Sequence, residues 1–431
     1  MFLCKTSIQY KKEAGKGWQD HFEQFLSRFA FYLSRPQLHH LRHLIITMVL
    51  WVGVHTISQL SQVQRHQWCR DQSNINRFIN RAPWKAEWLR KIRWQWVCEQ
   101  IRSVLPAPYS ASAKAPVTGY LVIDDTVTKK TGKKMAGLGW HYSHTEGRKV
   151  WGHCYVTALY VIAGFAYPVQ VLLYQSKSTS QEQGARFKSK IDLAAEIISN
   201  FKPLPGTRTV VLFDSWYASE TVIKAALKRG FEVVCALKSN RVIYNHPGAP
   251  RVTATTLADA AAKTGLAAHL VTVNNRTYLV RQLSGYLKGA LKATILSTES
   301  PAQGTKYLAH FHPEQKGAEP LNSEAILTHY GHRWPIETFH RNAKQLLGFD
   351  DYRLRSLDGI RRYLEILLIA YTVIENRRGL LALKDPDQPP PTLGEVCRQE
   401  QDNSFTNFVF WLYDQFQRGI PAEVICQRLA G

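Results

Sequence analysis

The sequence predicts an α/β protein in which an all-α N-terminal domain precedes a mixed-sheet core carrying a β-rich insertion. Three observations predict it. The first hundred residues repeat apolar side chains at helical spacing, residues 118–239 alternate short apolar runs with helical stretches, and residues 240–315 alternate apolar with polar. Periods of 3.6 and 2 residues are those of a helix face and a strand face. The resulting plan is a helical domain at 1–105, a linker at 106–117 and a core at 118–239 and 316–380. The β-rich insertion takes up 240–315, and a helical tail takes up 381–431.

The N-terminal helices come first. Phe22, Phe25, Leu26, Phe29 and Leu33 mark one between Trp18 and Leu33, Pro36 interrupts, and the pattern resumes from His39 to Gln62. Trp88, Leu89, Ile92, Trp96, Val97 and Ile101 mark another between Trp84 and Leu105. This region carries 16 Lys/Arg against 6 Asp/Glu. Thr56–Leu60 and Asp71–Phe78 suit two short helices around a turn, the second capped by Asp71 or Ser73. It would present Gln72, Asn74, Asn76 and Arg77, residue types that read base edges. Leu105 to Pro116 is rich in Pro, Ala and Ser, hence the linker.

Strands are expected at Gly119–Asp125, His153–Gly164, Pro168–Gln175, Thr209–Asp214 and Phe231–Leu237, with helices at Gly184–Asn200 and Ala218–Arg229. Helical character returns from Ser323, and Asp358–Asn376 reads as a long apolar helix.

Composition narrows the function classes. The 431 residues are 45% hydrophobic and 20% charged, which excludes a wholly disordered or collagen-like chain. The longest apolar run, Leu44–Val54, is far shorter than the roughly 20 residues that span a bilayer, so no membrane role is expected. Seven scattered cysteines contain no C-x2-C pair, which excludes a disulfide scaffold or structural zinc module and suits a reducing cytoplasm. The net charge of +22 favours a polyanion, nucleic acid first.

Two apolar strands end in acids, Ile123-Asp124-Asp125 and Phe213-Asp214. Carboxylates at strand ends in an α/β sheet face the cleft where ligands sit, and converging oxygen donors suit Mg²⁺ or Mn²⁺. Acids in such places also cap ordinary turns. A third group follows Pro335, well placed to open a helix: Glu337, His340, Arg341 and Lys344 fall at i, i+3, i+4 and i+7, on one face. A carboxylate beside cations can complete a metal site while the cations hold phosphates. Taken alone, the same stripe also reads as a solvated face with a Glu337–Arg341 ion pair. The basic run Lys129–Lys134 lacks the first glycine of a phosphate loop and reads as a hairpin that touches DNA or faces solvent.

Tyr330, Arg333, Glu337 and Lys344 fit Y-x2-R-x3-E-x6-K. With this motif, and with Ile-Asp-Asp-Thr and Asp-Ser-Trp-Tyr ahead of it, the chain resembles bacterial insertion-sequence transposases of the DDE superfamily over about residues 118–375. The resemblance implies a ribonuclease H-like core. It implies that Asp124, Asp214 and Glu337 are catalytic and hold two Mg²⁺ (or Mn²⁺) ions, and that Tyr330, Arg333 and Lys344 grip DNA near the cut. Arg341 and His340 are expected helpers, and Asp125 is the rival of Asp124. Asp124 directly follows the apolar strand, and neighbouring strand residues face opposite ways, so one acid of the two is expected at the metals.

The implied activity is a DNA transposase that cuts at the ends of its insertion sequence and joins them to target DNA. Its partners would be double-stranded DNA, both terminal inverted repeats and target, and a second protomer when two ends are paired. Its place would be the bacterial cytoplasm at the nucleoid. Trp216, Trp334, Tyr244, Tyr278 and Tyr286 are candidates for stacking on a base. A transposase-derived DNA-binding protein without catalysis, and a host nuclease with the same core, are the alternatives.

Overall fold

A computed structural model describes residues 18–63, 71–105, 116–143, 146–182, 186–300, 304–313, 321–385 and 387–430. Residues 106–115 of the expected linker lie outside them. The chain divides into two compact units. A helical unit takes in Met1–Ala107, Val127–His153 and Thr338–Gly431, and a sheet unit takes in Pro108–Thr126 and Cys154–Glu337.

The helical unit begins with α1 (Trp18–Ser27), a 3-10 turn at Arg28–Phe31 and α2 (Arg35–Leu50). Pro36 starts α2 rather than interrupting a helix, because a first-turn N–H has no intrahelical acceptor to lose. The long apolar run does not stay helical either. α2 stops at Leu50, Gly53 adopts a φ of 127° that few other residues reach, and Val52 and Val54 are exposed. Then come α3 (Ile57–Leu60), α4 (Gln72–Asn80) and α5 (Ala86–Val104). The Asp71 carboxylate caps α4, accepting from the N–H groups of Ser73 and Asn74. Residues 64–70, between the two short helices, lie outside the described residues.

In chain order the strands and helices that follow are β1 (Thr118–Lys129), β2 (Gly139–Ser143), β3 (Arg148–Ile162), β4 (Phe165–Tyr174), α6 (Lys177–Glu182) and α7 (Lys190–Asn200). Next are β5 (Arg208–Phe213), α8 (Glu220–Lys228), β6 (Glu232–Leu237), the short β7 (Val242–Ile243) and β8 (Val252–Thr253), and α9 (Ala254–Lys263). β9 (His269–Val273), β10 (Arg276–Leu287), β11 (Leu291–Ser300) and β12 (Gly304–Phe311) complete the strands.

In the sheet unit these strands run β4-β3-β1-β5-β6-β12-β11-β10-β9. β1–β5 and β5–β6 are parallel, while β6–β12 and every pair through β9 are antiparallel. The fold is of the mixed α/β class. Parallel strands need a crossover, which α8 supplies between β5 and β6. The antiparallel strands need only tight turns. Asn274-Asn275 takes positive φ at both positions between β9 and β10, the geometry of a two-residue hairpin.

The remaining helices are α10 (Ser323–Gly331), α11 (Pro335–Leu347), α12 (Leu357–Lys384), α13 (Leu393–Gln417) and α14 (Ala422–Ala430). α12 is apolar on nearly every side and accordingly forms the core of the helical unit, packing against α2, α4, α5 and α13. Of its two buried acids, Glu365 is met by Arg93 of α5 at 2.8 Å and Glu375 by Arg378 of the same helix at 2.7 Å. Removing either partner of the first pair would strand a charge away from water.

Candidate active site

The acids are positioned by strand register. β1 pairs with β5 rung by rung from Thr118↔Arg208 to Val122↔Leu212. Counting on two residues from that last rung reaches Asp124 on one chain segment and Asp214 on the other. Both therefore leave the parallel ladder at its carboxyl end, where α/β sheets present ligand-binding groups. β1 differs from the expectation in one respect. It continues through Thr126, Val127 and Thr128 to Lys129, so Asp124 and Asp125 lie within a strand and not at its tip. The β-branched residues beyond the acids carry it on.

Strand alternation sends the neighbouring acids to different company. Asp125 accepts from the Tyr217 hydroxyl at 2.9 Å and from Lys190 Nζ at 2.6 Å, with Cys154 Sγ 3.6 Å away. Asp124 faces Arg333, whose Nη1 lies 3.4 Å from Oδ2. The same guanidinium, through Nη2, bonds Glu337 Oε1 one helical turn further on. Arg333 thus joins the first and third acids. Asp214 turns its carboxylate to its own loop, accepting from the N–H of Trp216 at 3.0 Å and of Tyr217 at 3.4 Å.

Burial dominates the electrostatics. It pushes the Asp124 carboxyl up to about 7, and the nearby charges of Asp214 and Asp125 add to the rise, while the Asp125 N–H and Arg333 oppose it. Burial also raises the Tyr330 hydroxyl to about 12. His329 is lowered to about 4, by burial first and then by Arg208. It is therefore a neutral ring at pH 7, 2.9 Å from the Tyr120 hydroxyl. His332 stacks on Tyr120 with ring centroids 4.1 Å apart. Trp334 is 63% exposed, whereas Trp216, 42% exposed, has the Lys190 ammonium 5.2 Å from its ring centroid.

Among the described residues, no three side chains of His, Cys, Asp or Glu lie close enough to share one metal ion. The donor chemistry of Asp124, Asp214 and Glu337, all carboxylate oxygen, nevertheless suits a hard divalent cation. A half-buried carboxylate such as Asp124 is favoured by positive charge beside it, which Arg333 supplies here.

Lys344 and Arg341 belong to the helical unit. Lys344 Nζ donates to the Val127 carbonyl at 3.1 Å, and Arg341 is exposed on α11. Lys130, expected in a DNA-touching or solvated hairpin, does neither. Its ammonium lies 3.6 Å from the centroid of the Tyr352 ring and donates to the Tyr352 carbonyl at 3.0 Å. Lys133 and Lys134 are exposed. Sequence reasoning passed over Lys190, Tyr217 and Tyr120. Tyr217, three residues after Asp214 in the Asp-Ser-Trp-Tyr run, had a local signal, whereas Lys190 opens a helix and had none.

The sequence matches the family described as "DDE superfamily endonuclease" over residues 28–261. The chain belongs to the DDE superfamily of endonucleases. A second match, to "Archaeal putative transposase ISC1217", covers residues 153–383. The DDE superfamily match takes in Asp124 and Asp214, and the second takes in Asp214 and Glu337. The "Probable transposase for insertion sequence element IS701" of Microchaete diplosiphon is 23% identical over 175 residues, 40% of this chain. The chain spans about two-fifths of that relative's length, 42%. A cryo-EM structure of the piggyBac transposase synaptic complex with hairpin DNA aligns with this DDE superfamily chain at a TM-score of 0.48 and 10% identity. That alignment covers 93% of this chain and 76% of the other.

Proposed function

We propose that this DDE superfamily endonuclease is a DNA transposase that cuts at the ends of its own insertion sequence and joins them to target DNA. The observation that carries the reading is Arg333 linking Asp124 to Glu337, with Asp214 in register beside Asp124. The reaction is in-line displacement at phosphorus, with water and then a DNA 3′-hydroxyl as nucleophile. Two Mg²⁺ (or Mn²⁺) ions, held by Asp124, Asp214 and Glu337, would supply Lewis-acid activation of the nucleophile and charge neutralisation at the leaving oxygen. Arg333 and Tyr330 contact the phosphate next to the cut, the planar guanidinium suiting two phosphate oxygens at once. Lys344 and Arg341 add further backbone contacts. Lys190 and Tyr217 hold Asp125 away from the reaction and so fix the strand from which Asp124 projects. Residues 1–105 bind the terminal repeats, 118–239 and 316–380 form the catalytic core, and two protomers pair the two ends.

A second reading, a transposase-derived DNA binder without catalysis, draws on the same Arg333 contacts, which occupy two of the three acids. A supercoiled plasmid carrying the element ends, incubated with Mg²⁺, separates the readings. Excision and insertion by the wild type are expected. Asp214→Ala should abolish both while retaining end binding. Ends bound by the wild type but never cut would favour the second reading, and cutting by the Asp214→Ala protein would remove that acid from the mechanism.

A further inference from the structure

Outside the carboxylate site, the helical unit contains a cleft of 680 Å³. Arg77 and Arg81 line one wall, and Arg353 and Arg355 line the other. Arg77 and Arg81 are one helical turn apart and share a face. Arg353 and Arg355 alternate with buried Tyr352 and Leu354, which puts both guanidiniums on the outer side of an extended segment. All four arginines are exposed. Several arginines elsewhere in this unit are paired with acids, as in Arg93–Glu365, Arg361–Asp358, Arg377–Glu400 and Arg378–Glu375. Among the described residues, no carboxylate forms an ion pair with any of the four in the cleft.

Gathering four cations costs energy, so the walls must be held by other bonds. Arg362 Nη1 donates to the Ile79 carbonyl at 2.8 Å, and the Ser356 hydroxyl bonds Asn80 Oδ1 at 2.9 Å. Gly359 allows the close approach, since a Cβ there would lie 2.3 Å from Asn80 Oδ1. α4 is therefore clamped to the first turn of α12, and the cleft is preformed. The positive surface also continues beyond it. The Ala136 N–H donates to the Arg355 carbonyl at 2.9 Å, which holds the loop bearing exposed Lys133 and Lys134 beside that wall.

We infer that this cleft grips the sugar-phosphate backbone of duplex DNA, as a second contact whose residues are separate from those of the carboxylate site. Guanidiniums pair bidentately with phosphate oxygens, and Ser73 and Asn76 at the rim add neutral hydrogen-bonding groups. The cleft presents no exposed apolar side chain to insert into a lipid surface, which favours DNA over a membrane. The role of α4 follows. Its C-terminal half holds backbone against Arg353 and Arg355, and Asn80, already bonded to Ser356, is structural. The inference rests on the transposase reading for its partner, but its residues are distinct.

The test measures binding of the full chain to a labelled random-sequence duplex of roughly 30 base pairs over a range of NaCl concentrations. Each lost phosphate contact lowers the slope of log K against log salt by about 0.9, so Arg353→Ala with Arg355→Ala should lower it by about 2. Affinity should fall roughly tenfold or more in that double variant, and likewise for Arg77→Ala with Arg81→Ala. The Arg353→Lys, Arg355→Lys protein should keep the slope, because the charge is retained. Lys263→Ala with Lys292→Ala, both exposed in the sheet unit, should leave it unchanged. An unchanged slope in both arginine double variants overturns the inference, as does an equal loss in the lysine variant. So does lost binding to phosphatidylserine vesicles with DNA binding intact. If the wild type binds no duplex at all, the transposase reading fails first. If it binds and cuts while the arginine variants match it, this inference alone fails.

Discussion

Adjacent carboxylates in one strand, Asp124 and Asp125, meet opposite surroundings. Asp125 is paired with Lys190 and tied by Tyr217, whereas Asp124 is half-buried with a more distant guanidinium and two other negative charges nearby. The Asp124 carboxyl therefore titrates at about 7, well above its unfolded value of 3.8. A raised folded pKa means that the folded state binds the proton more tightly. Its stabilising effect is full below the unfolded pKa and is lost as pH climbs towards 7. Asp124→Asn should remove that slope and make the metal-free protein more stable at pH 8, by on the order of 1 kcal/mol, while ending DNA cleavage. Parallel urea titrations of both proteins at pH 5 and pH 8 check it. An equal stability change with pH in the two would show that Asp124 is not the strained group. The sequence narrowed the first acid to two neighbours and no further. What divides them is Lys190, whose position in the chain gives no hint that it folds back onto β1.

At the scale of helices and strands, the α4–α12 joint depends on one missing side chain. Gly359→Ala would push a methyl group against Asn80 and Ser356, and crowding of this kind costs about 1–3 kcal/mol. The expected result is a lower denaturation midpoint together with weaker DNA binding; loss of neither would separate the joint from the cleft. Much at this scale could be read from the chain. Asp71 caps α4 as its position suggests, and the apolar stretch Asp358–Asn376 marks a buried helix, which in the structure runs on to Lys384. Where the reading fell short, local preference was overruled. A continuous apolar run through Val54 was expected to stay helical, yet Gly53 ends it and leaves two valines in water. The basic appearance of Lys129–Lys134 concealed that Lys130 sits under an aromatic ring. Composition cannot show that, because the ring belongs to Tyr352, more than two hundred positions away.

For the whole molecule, a net charge of +22 should set the behaviour in solution. Like charges repel one another in the compact state, and salt screens that repulsion. Raising NaCl from about 20 to about 200 mM should increase the melting temperature of the DNA-free protein by a few degrees while weakening its hold on DNA. Calorimetry across that range tests the first half, and a flat or falling melting temperature would mean that the cations are already balanced locally. The order of apolar runs and helices made the α/β class legible at this scale. The pairing of β6 with β12, across five intervening strands and a helix, was not, since nothing local in either strand names its neighbour.

The ladder between β1 and β5 has a consequence for how such a chain can change over generations. Asp124 and Asp214 keep level with each other only while the counts from Thr118 and Arg208 agree, and the pairing between them shows no bulge that could absorb an extra residue. Adding or deleting a single amino acid upstream in either strand would turn its acid to the opposite side of the sheet. Codon-sized insertions should therefore survive in turns such as Asn274-Asn275, and lineages should preserve the length of these two strands even where every apolar residue within them has been exchanged.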